Sequence, residues 1–518
     1  MAPNLYFINP AVDFPTYFGG EFFAGNGWPA AEIVADLTLP SVAALAPSDY
    51  GVKLCNENTE AVDWETNCDF VAITGKVSQQ GRMFAIADEF RRRGRKVILG
   101  GPFASLSPEV VRPHADILVT GEFEEIAPQV FDDLRRGSWQ DHYQGTRPEL
   151  DLCPIPRWDL YPNRRSLMGA VQTSRGCPFS CEFCDVIPYV GRKQRHKPIA
   201  SVLAELDCLY QLGYRQVFFA DDNFSASRAY VRELLEALRI WNQNRTQGHV
   251  GFMTELSIDA ARDPDLLQAF AAAGLTKIYL GIETPNLEGL KETGKRQNLN
   301  GDLVELVHRF YEYGITIFAG MIVGFDADTS DVFEWQFQFA MESSIPIFTL
   351  GTLVAPDQTP LQARMKAEGR LINQSTSVTA APWTTNVVPK NMSLQQMEQG
   401  MRWLATNLYA PQHFGRRIEK LVELLKPGPS HISFDPNWGG FHIPELKKQI
   451  WLALTRLARM GEAEANMLGQ IRKALAKKPE ATAKIMPMVL SYLQTRYMLN
   501  QGKFWDPNAT HPRELNVV

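Results

Sequence analysis

The sequence predicts an α/β chain in three parts: an open, doubly wound parallel sheet (residues 1–150), a partial (β/α)6 barrel (151–375) and an α-helical C-terminal region (376–518). Three observations carry this expectation. Short apolar runs alternate with helical spacing in two separate series, a proline-rich stretch parts the two series, and strand signals fade in the last ~140 residues.

In the first part, candidate strands are Leu5–Ile8, Val52–Cys55, Phe70–Thr74, Lys96–Leu99 and Asp116–Val119. Each runs into turn chemistry: Asn9-Pro10, Asn56-Glu57-Asn58, Thr74-Gly75-Lys76, Gly100-Gly101-Pro102 and Gly121-Glu122. Between the third and fourth strands, Met83, Ala87 and Phe90 recur at helical spacing. In such sheets ligands sit beyond the carboxyl ends of the strands, where these loops fall. Residues Phe14 to Pro29 are too long and too aromatic for a plain connector. They either cover a ligand, line an apolar channel or form a satellite core.

Cys153-Pro154-Ile155-Pro156 and Tyr161-Pro162 mark the boundary. The barrel strands are Gly169–Thr173, Gln216–Ala220, Gly251–Thr254, Lys277–Gly281, Thr316–Val323 and Phe348–Val354, with helices such as Ile199–Leu212 and Asp265–Ala273 between them. Chemistry in such a barrel collects at the carboxyl ends of its strands. In the tail, Glu445 to Met460 sets Lys447, Lys448, Arg456 and Arg459 against Ile450, Trp451, Leu452, Leu454 and Leu457. This amphipathic stripe packs on its own domain or makes peripheral contact with a membrane surface, and the first is the expectation.

Composition narrows the function. A net charge of -6 over 518 residues argues against a large basic nucleic-acid footprint. No apolar run approaches the ~20 residues of a membrane helix, and the first basic residue is Lys53, so a cytoplasmic protein is expected. Seven cysteines in a chain this long do not make a disulfide scaffold. Three of them, Cys177, Cys181 and Cys184, lie within eight residues of one another. Three thiolates on one loop can hold three irons of a [4Fe–4S] cluster and leave the fourth open to a ligand. Zinc is the competitor; it would need a fourth ligand, and His196 is the nearest histidine downstream.

The segment Gly176-Cys177-Pro178-Phe179-Ser180-Cys181-Glu182-Phe183-Cys184, following a first barrel strand, resembles the radical S-adenosylmethionine (SAM) superfamily. The resemblance implies that Cys177, Cys181 and Cys184 hold the cluster, that SAM chelates the open iron, and that an external electron donor drives its cleavage to a 5′-deoxyadenosyl radical. It implies further site residues: Phe183 beside the cluster, Asp222 after the second strand, Glu255 and Ser257 after the third, Glu283 after the fourth, and Gly320 and Ile322 on an adenine-contacting fifth strand, where Asp326 replaces the usual glutamate. Asp222 and Glu283 are the catalytic candidates; Glu255, Ser257, Gly320 and Ile322 are the candidates for SAM. Asp221 or Asp222 could equally cap the next helix, Glu283 could pair with a lysine, and the glycines of 320–324 could serve close packing.

A flavodoxin-like sheet ahead of such a barrel resembles the cobalamin-binding domain of B12-dependent radical SAM enzymes. The implied corrin platform is Thr74, Gly75, Val77, Ser78 and Gln79, with Gly100, Gly101, Gly121 and Glu122. The Asp-x-His-x-x-Gly motif that supplies a cobalt ligand elsewhere is absent, since the first histidine is His114. Cys184-Asp185, Gly191-Arg192, Asp221-Asp222-Asn223-Phe224, Gly281-Ile282-Glu283-Thr284-Pro285 and Pro389-Lys390-Asn391-Met392-Ser393 resemble the subgroup that contains hopanoid C-2 methylase. The whole implies a cobalamin-dependent C-methyltransferase acting on an unactivated carbon of a lipid-like or other secondary metabolite. The alternatives are a cyclisation, ring contraction or oxidation with the same cofactors, and a non-catalytic iron–sulfur sensor.

Overall fold

The structure, a computed structural model, describes residues 2–372, 381–428 and 444–514. Its first sheet is parallel throughout. It is built from β1 (Asn4–Asn9), β3 (Gly51–Asn56), β4 (Phe70–Thr74), β5 (Lys96–Gly100), β6 (Ile117–Thr120) and β7 (His142–Gln144), with β2 (Glu32–Val34) set apart from it. The order β3-β1-β4-β5-β6-β7 places the switch between β1 and β4. Loops after those two strands therefore diverge and leave a crevice at the carboxyl edge. The five expected strands form within two residues of their expected ends, and β7 is an additional edge strand.

The barrel sheet holds β8 (Ser166–Val171), β11 (Gln216–Phe219), β12 (Gly251–Leu256), β13 (Leu275–Glu283), β14 (Thr316–Val323) and β15 (Ile347–Thr352). A two-stranded antiparallel ribbon, β9 (Ser174–Arg175) with β10 (Arg195–His196), lies between β8 and β11 in sequence. The order is β15-β14-β13-β12-β11-β8-β2. The barrel is thus half-closed, and its first edge is extended by β2, taken from the segment that the sequence placed with the first unit. Seven of the eight side chains of β14 are buried, as expected of a parallel strand covered on both faces. The outer helices have ordinary stop signals. Pro264–Ala273 starts where the Asp263 carboxylate accepts the Leu266 N–H and ends at left-handed Gly274.

The tail is helical: Leu394–Leu408, Pro411–Leu424, Pro444–Leu457, Glu462–Lys477 and Thr482–Gln501. The amphipathic stripe buries Ile450, Ala453 and Leu457 within this domain and leaves Trp451 exposed. Among the described residues no helix is long and apolar enough to cross a membrane. Helix Thr482–Gln501 reaches back to the N-terminus: the Gln494 side chain accepts the Phe22 N–H at 3.1 Å and donates to the Thr16 carbonyl at 2.7 Å. The aromatic segment 14–28 is thereby held against the open side of the barrel. Phe18 packs on Tyr279 and Phe318, Phe14 on Trp383, and the Tyr17 hydroxyl donates to the Leu350 carbonyl. It lines the barrel interior and does not form a separate core.

Candidate cofactor and substrate site

The cysteine segment has no regular secondary structure between Gly176 and Cys184, so other elements must place it. Asp222, after β11, accepts the Gly176 N–H at 2.7 Å. Asp221 is buried and accepts the Thr173 N–H at 2.6 Å and the Ser174 hydroxyl at 2.9 Å. Burial lifts its carboxyl to about 6 against these bonds. Neither aspartate caps the helix Arg228–Gln243. Gly176 has φ +98°, and a Cβ there would lie 2.5 Å from the Lys193 carbonyl oxygen. Only glycine fits that turn.

Further along, Glu182 pairs with Arg364 at 2.7 Å, and Arg364 also pairs with Asp326 at 2.5 Å. Asp326 is held in addition by Arg370, so it braces the loop from behind. Phe183 stacks at a tilt on Phe325, beside half-buried Ile322. Cys181 is buried and accepts a weak bond from the Gln297 amide at 3.7 Å; Cys177 and Cys184 are half-buried. Burial raises the Cys184 thiol to about 12 and also raises Cys177, with the neighbouring sulfurs and aspartates adding to both. Metal would have to displace those protons, as thiolate ligation generally requires.

Three thiols on one loop, with no histidine beside them among the described residues, are the donor set of a [4Fe–4S] cluster with one open iron. His196, the histidine that zinc would need, faces the Gln194 amide oxygen at 3.3 Å and packs on Tyr230.

Inside the barrel mouth, Glu255 is surrounded by protein yet keeps accessible surface, and so do Tyr279, Tyr17 and Tyr189. These half-buried side chains lie about the mouth of the half-barrel. Burial lifts the Glu255 carboxyl to about 7; Lys76 and Lys295 oppose the shift, and Asp222 and Glu283 add to it. Among the described residues its carboxylate has no hydrogen-bond or ion-pair partner, which leaves it free to meet a ligand. Ser257 accepts from the Asn223 amide at 2.9 Å. Glu283 sits at φ +63°, a strained setting for a non-glycine residue, and forms a buried ion pair with Lys295. The Lys295 charge also senses Cys181 and Cys184. Gly320 leaves room for the Tyr279 hydroxyl, which a Cβ would meet at 2.6 Å.

The first sheet meets this mouth of the barrel with its carboxyl edge. Asp357, in the loop after β15, accepts the Ser107 hydroxyl, and the Gln358 amide donates to the Leu106 carbonyl at 2.6 Å. Thr74, Gly75, Val77 and Ser78 line the loop after β4, and the charge of Lys76 reaches Glu255, Asp185 and Asp36. The Gln79 amide is engaged within the platform, with the Asn9 side chain and the Pro10 carbonyl as acceptors. Gly100 ends β5, and Gly101 (φ +92°) lets the next loop approach the Thr74 hydroxyl, which a Cβ would meet at 2.4 Å. Gly121 (φ +77°) makes the corresponding turn after β6. Thr74, Val77, Ser78, Gly100, Gly101 and Gly121 are half-buried along this edge, and glycines at the turns let the backbone come close to a ligand.

Glu122 is employed differently from the platform role expected of it. It is buried between Arg175, at 2.7 Å, and Arg195, at 2.5 Å, while Glu124 takes the other side of Arg175 at 2.6 Å. These arginines, with Lys295, Gln297 and Lys76, escaped the sequence reading. Their partners are far away in the chain, and no local pattern marks them.

Residues 171–335 match the radical SAM superfamily, and residues 359–494 match a domain of unknown function (DUF4070). An uncharacterized methyltransferase of Synechocystis sp., sll1242, is 37% identical over 349 residues, 66% of this chain and 65% of that relative. Hopanoid C-2 methylase of Rhodopseudomonas palustris is 32% identical over 372 residues, 70% of each chain. The fold matches radical SAM methyltransferase TsrM of Kitasatospora setae, solved with cobalamin and a [4Fe-4S] cluster, at a TM-score of 0.59 and 15% identity, covering 92% of this chain and 100% of that one. With the cysteine loop and the half-barrel in place, the chain belongs to the radical SAM superfamily, in the family that holds hopanoid C-2 methylase.

Proposed function

We propose that this protein transfers a methyl group to an unactivated carbon of an apolar small molecule, a lipid-like or other secondary metabolite. The observation that carries the reading is the juxtaposition of the three-cysteine loop with the loop edge of the first sheet, where Arg175 pairs with Glu122 and Glu124 and the charge of Lys76 reaches Asp185 and Glu255. Cys177, Cys181 and Cys184 would hold the cluster, and Thr74, Gly75, Val77, Ser78, Gly100, Gly101 and Gly121 the corrin. Glu255 and Lys295, with Ser257 and Ile322 beside them, would hold the polar ends and adenine of SAM. When bound, the cluster and SAM supply the hydrogen-abstracting radical, and cobalamin supplies the methyl group.

The chain's own work is placement. Asp222 and Arg364 fix the cysteine loop, and Glu283 orients Lys295. The aromatic segment 14–28 closes the open side of the barrel, keeping water from a radical and favouring an apolar substrate.

The test is anaerobic reconstitution with iron, sulfide, cobalamin and a strong one-electron reductant. Expected are four irons per chain, release of 5′-deoxyadenosine, and movement of label from methyl-labelled SAM to cobalamin and then to an apolar metabolite from cell extracts. Zinc in place of iron, or no 5′-deoxyadenosine, overturns the enzyme reading. A turned-over metabolite without label assigns a non-methylating reaction.

A further inference from the structure

At the opposite end of the barrel from the cysteines, the amino ends of β11, β12 and β13 line a cavity of about 100 Å³ under helix Thr482–Gln501. Its wall is mainly apolar: Phe18, Ile33, Met168, Met253, Phe318 and Leu490. Two lysines break that surface. Lys277 and Lys484 both line the cavity and are each only 8% exposed.

Buried lysines are normally paired. Here the Lys277 ammonium has one partner, the neutral Gln216 carbonyl oxygen at 2.5 Å. Lys484 donates to the Gly314 carbonyl at 2.6 Å, with Glu480 acting on it only from a distance. Among the described residues neither forms an ion pair with a carboxylate. Thr276 and Ser491 are the other polar side chains in the wall. A desolvated ammonium without a counter-charge is costly, and its neighbour adds repulsion. Burial, with Lys484 adding, pulls Lys277 down to about 8, so much of it stays charged at neutral pH.

We infer that this cavity binds a short alkyl carboxylate of about four carbons, its head on Lys277 and its tail among Phe18, Met168, Met253 and Leu490. One uncompensated ammonium without a backbone acceptor calls for a single negative charge. An apolar cavity of about 150 Å³ takes one benzene, so one of about 100 Å³ has room for about four carbons and not for a long acyl chain. The site lies at the amino ends of the strands, away from the cysteine loop at their carboxyl ends.

The probe is butyrate, titrated calorimetrically into the full-length protein, with 1-butanol and inorganic phosphate as the comparison arms. Expected is one butyrate per chain, with 1-butanol and phosphate each at least tenfold weaker. Lys277→Gln should weaken butyrate at least tenfold, and Ser491→Trp, which fills the cavity and leaves both lysines in place, should abolish binding. Equal binding of 1-butanol overturns the role of the lysine, and equal binding of phosphate overturns the acyl tail. Unchanged butyrate binding in Ser491→Trp places the ligand elsewhere and overturns the proposal. The comparison of butyrate with butanol needs no variant, so a poorly folding Lys277→Gln leaves the test intact.

Discussion

Glu122→Gln tests how the two α/β units are held in register. Glu122 and Arg195 are each 3% exposed at the side chain, and Arg175 is 16% exposed. The substitution removes the one charge that faces both arginines. Breaking a buried ion pair from one side typically costs about 3–5 kcal/mol, because the partner's charge stays behind. Three features place this case at the lower end. Arg175 keeps Glu124 at 2.6 Å, Arg195 keeps the Pro148 carbonyl at 2.6 Å and the Val190 carbonyl at 3.1 Å, and glutamine retains one acceptor. For a cooperative unit of 150–250 residues, about 3 kcal/mol corresponds to a fall of about 6–12 °C in melting temperature. Scanning calorimetry of the full chain measures it on the first transition. Glu124→Gln leaves both arginines on Glu122 and should shift that transition less. A fall below about 2 °C for Glu122→Gln, or a larger one for Glu124→Gln, refutes the reasoning.

Gly176→Ala should disable the cysteine loop, since left-handed backbone and a Cβ 2.5 Å from the Lys193 carbonyl oxygen coincide there; iron retained per chain after reconstitution should be roughly halved or worse. Arg364→Met frees Glu182, leaving Asp326 to Arg370 alone, and should lower iron retention in the same assay, while Arg239→Met, on an exposed ion pair of an outer helix, should not. Glu32 gives a pH dependence. Burial lifts its carboxyl to about 7 despite hydrogen bonds from Ser166, Tyr161 and Asn56, so the folded state binds the proton more tightly than the unfolded chain does. Its contribution is complete below about 4.5 and is lost as pH rises through about 7, a change of about 3 kcal/mol. Melting temperature followed from pH 4.5 to 8 should fall more steeply in the natural protein than in Glu32→Gln, and parallel curves would contradict the assignment.

The barrel was legible because each of its strands is a covered apolar run bounded by turn residues. Thr316–Val323 forms with the expected ends. The short strands were not legible: Glu32–Val34 and His142–Gln144 are three residues each at sheet edges, too brief for any periodicity to show. The cysteines declared themselves by spacing. Glu122 was found for the wrong reason, as part of a turn, since its partners lie 53 and 73 residues onward and pairing at that range is a property of the fold. Lys295 is similar: twelve residues separate it from Glu283, and only the strained backbone at the end of β13 brings the two together.

A loop without helix or strand is the weakest part of any fold to place precisely, yet this one carries all three cysteines. Its position is fixed from four directions. Asp222 holds Gly176 from β11, the Thr293 carbonyl accepts the Glu182 N–H at 2.9 Å, Arg364 grips the Glu182 side chain, and Arg175 ties the approach to Glu122 and Glu124 of the first unit. The last of these differs in kind, because it joins the loop to the sheet edge opposite and not to its own barrel. Only Gly176 separates Arg175 from Cys177, so any displacement of the first unit is passed to the cysteines through a single intervening residue. The linker between the units is irregular and could not transmit such a constraint by itself. Ion pairs that are buried, short and shared between two arginines can, since they have few alternative geometries of similar energy. The seam between the units thus helps to set where the cysteine loop lies, and substitutions along it should alter how reliably that loop faces the edge of the first sheet before they alter either one alone.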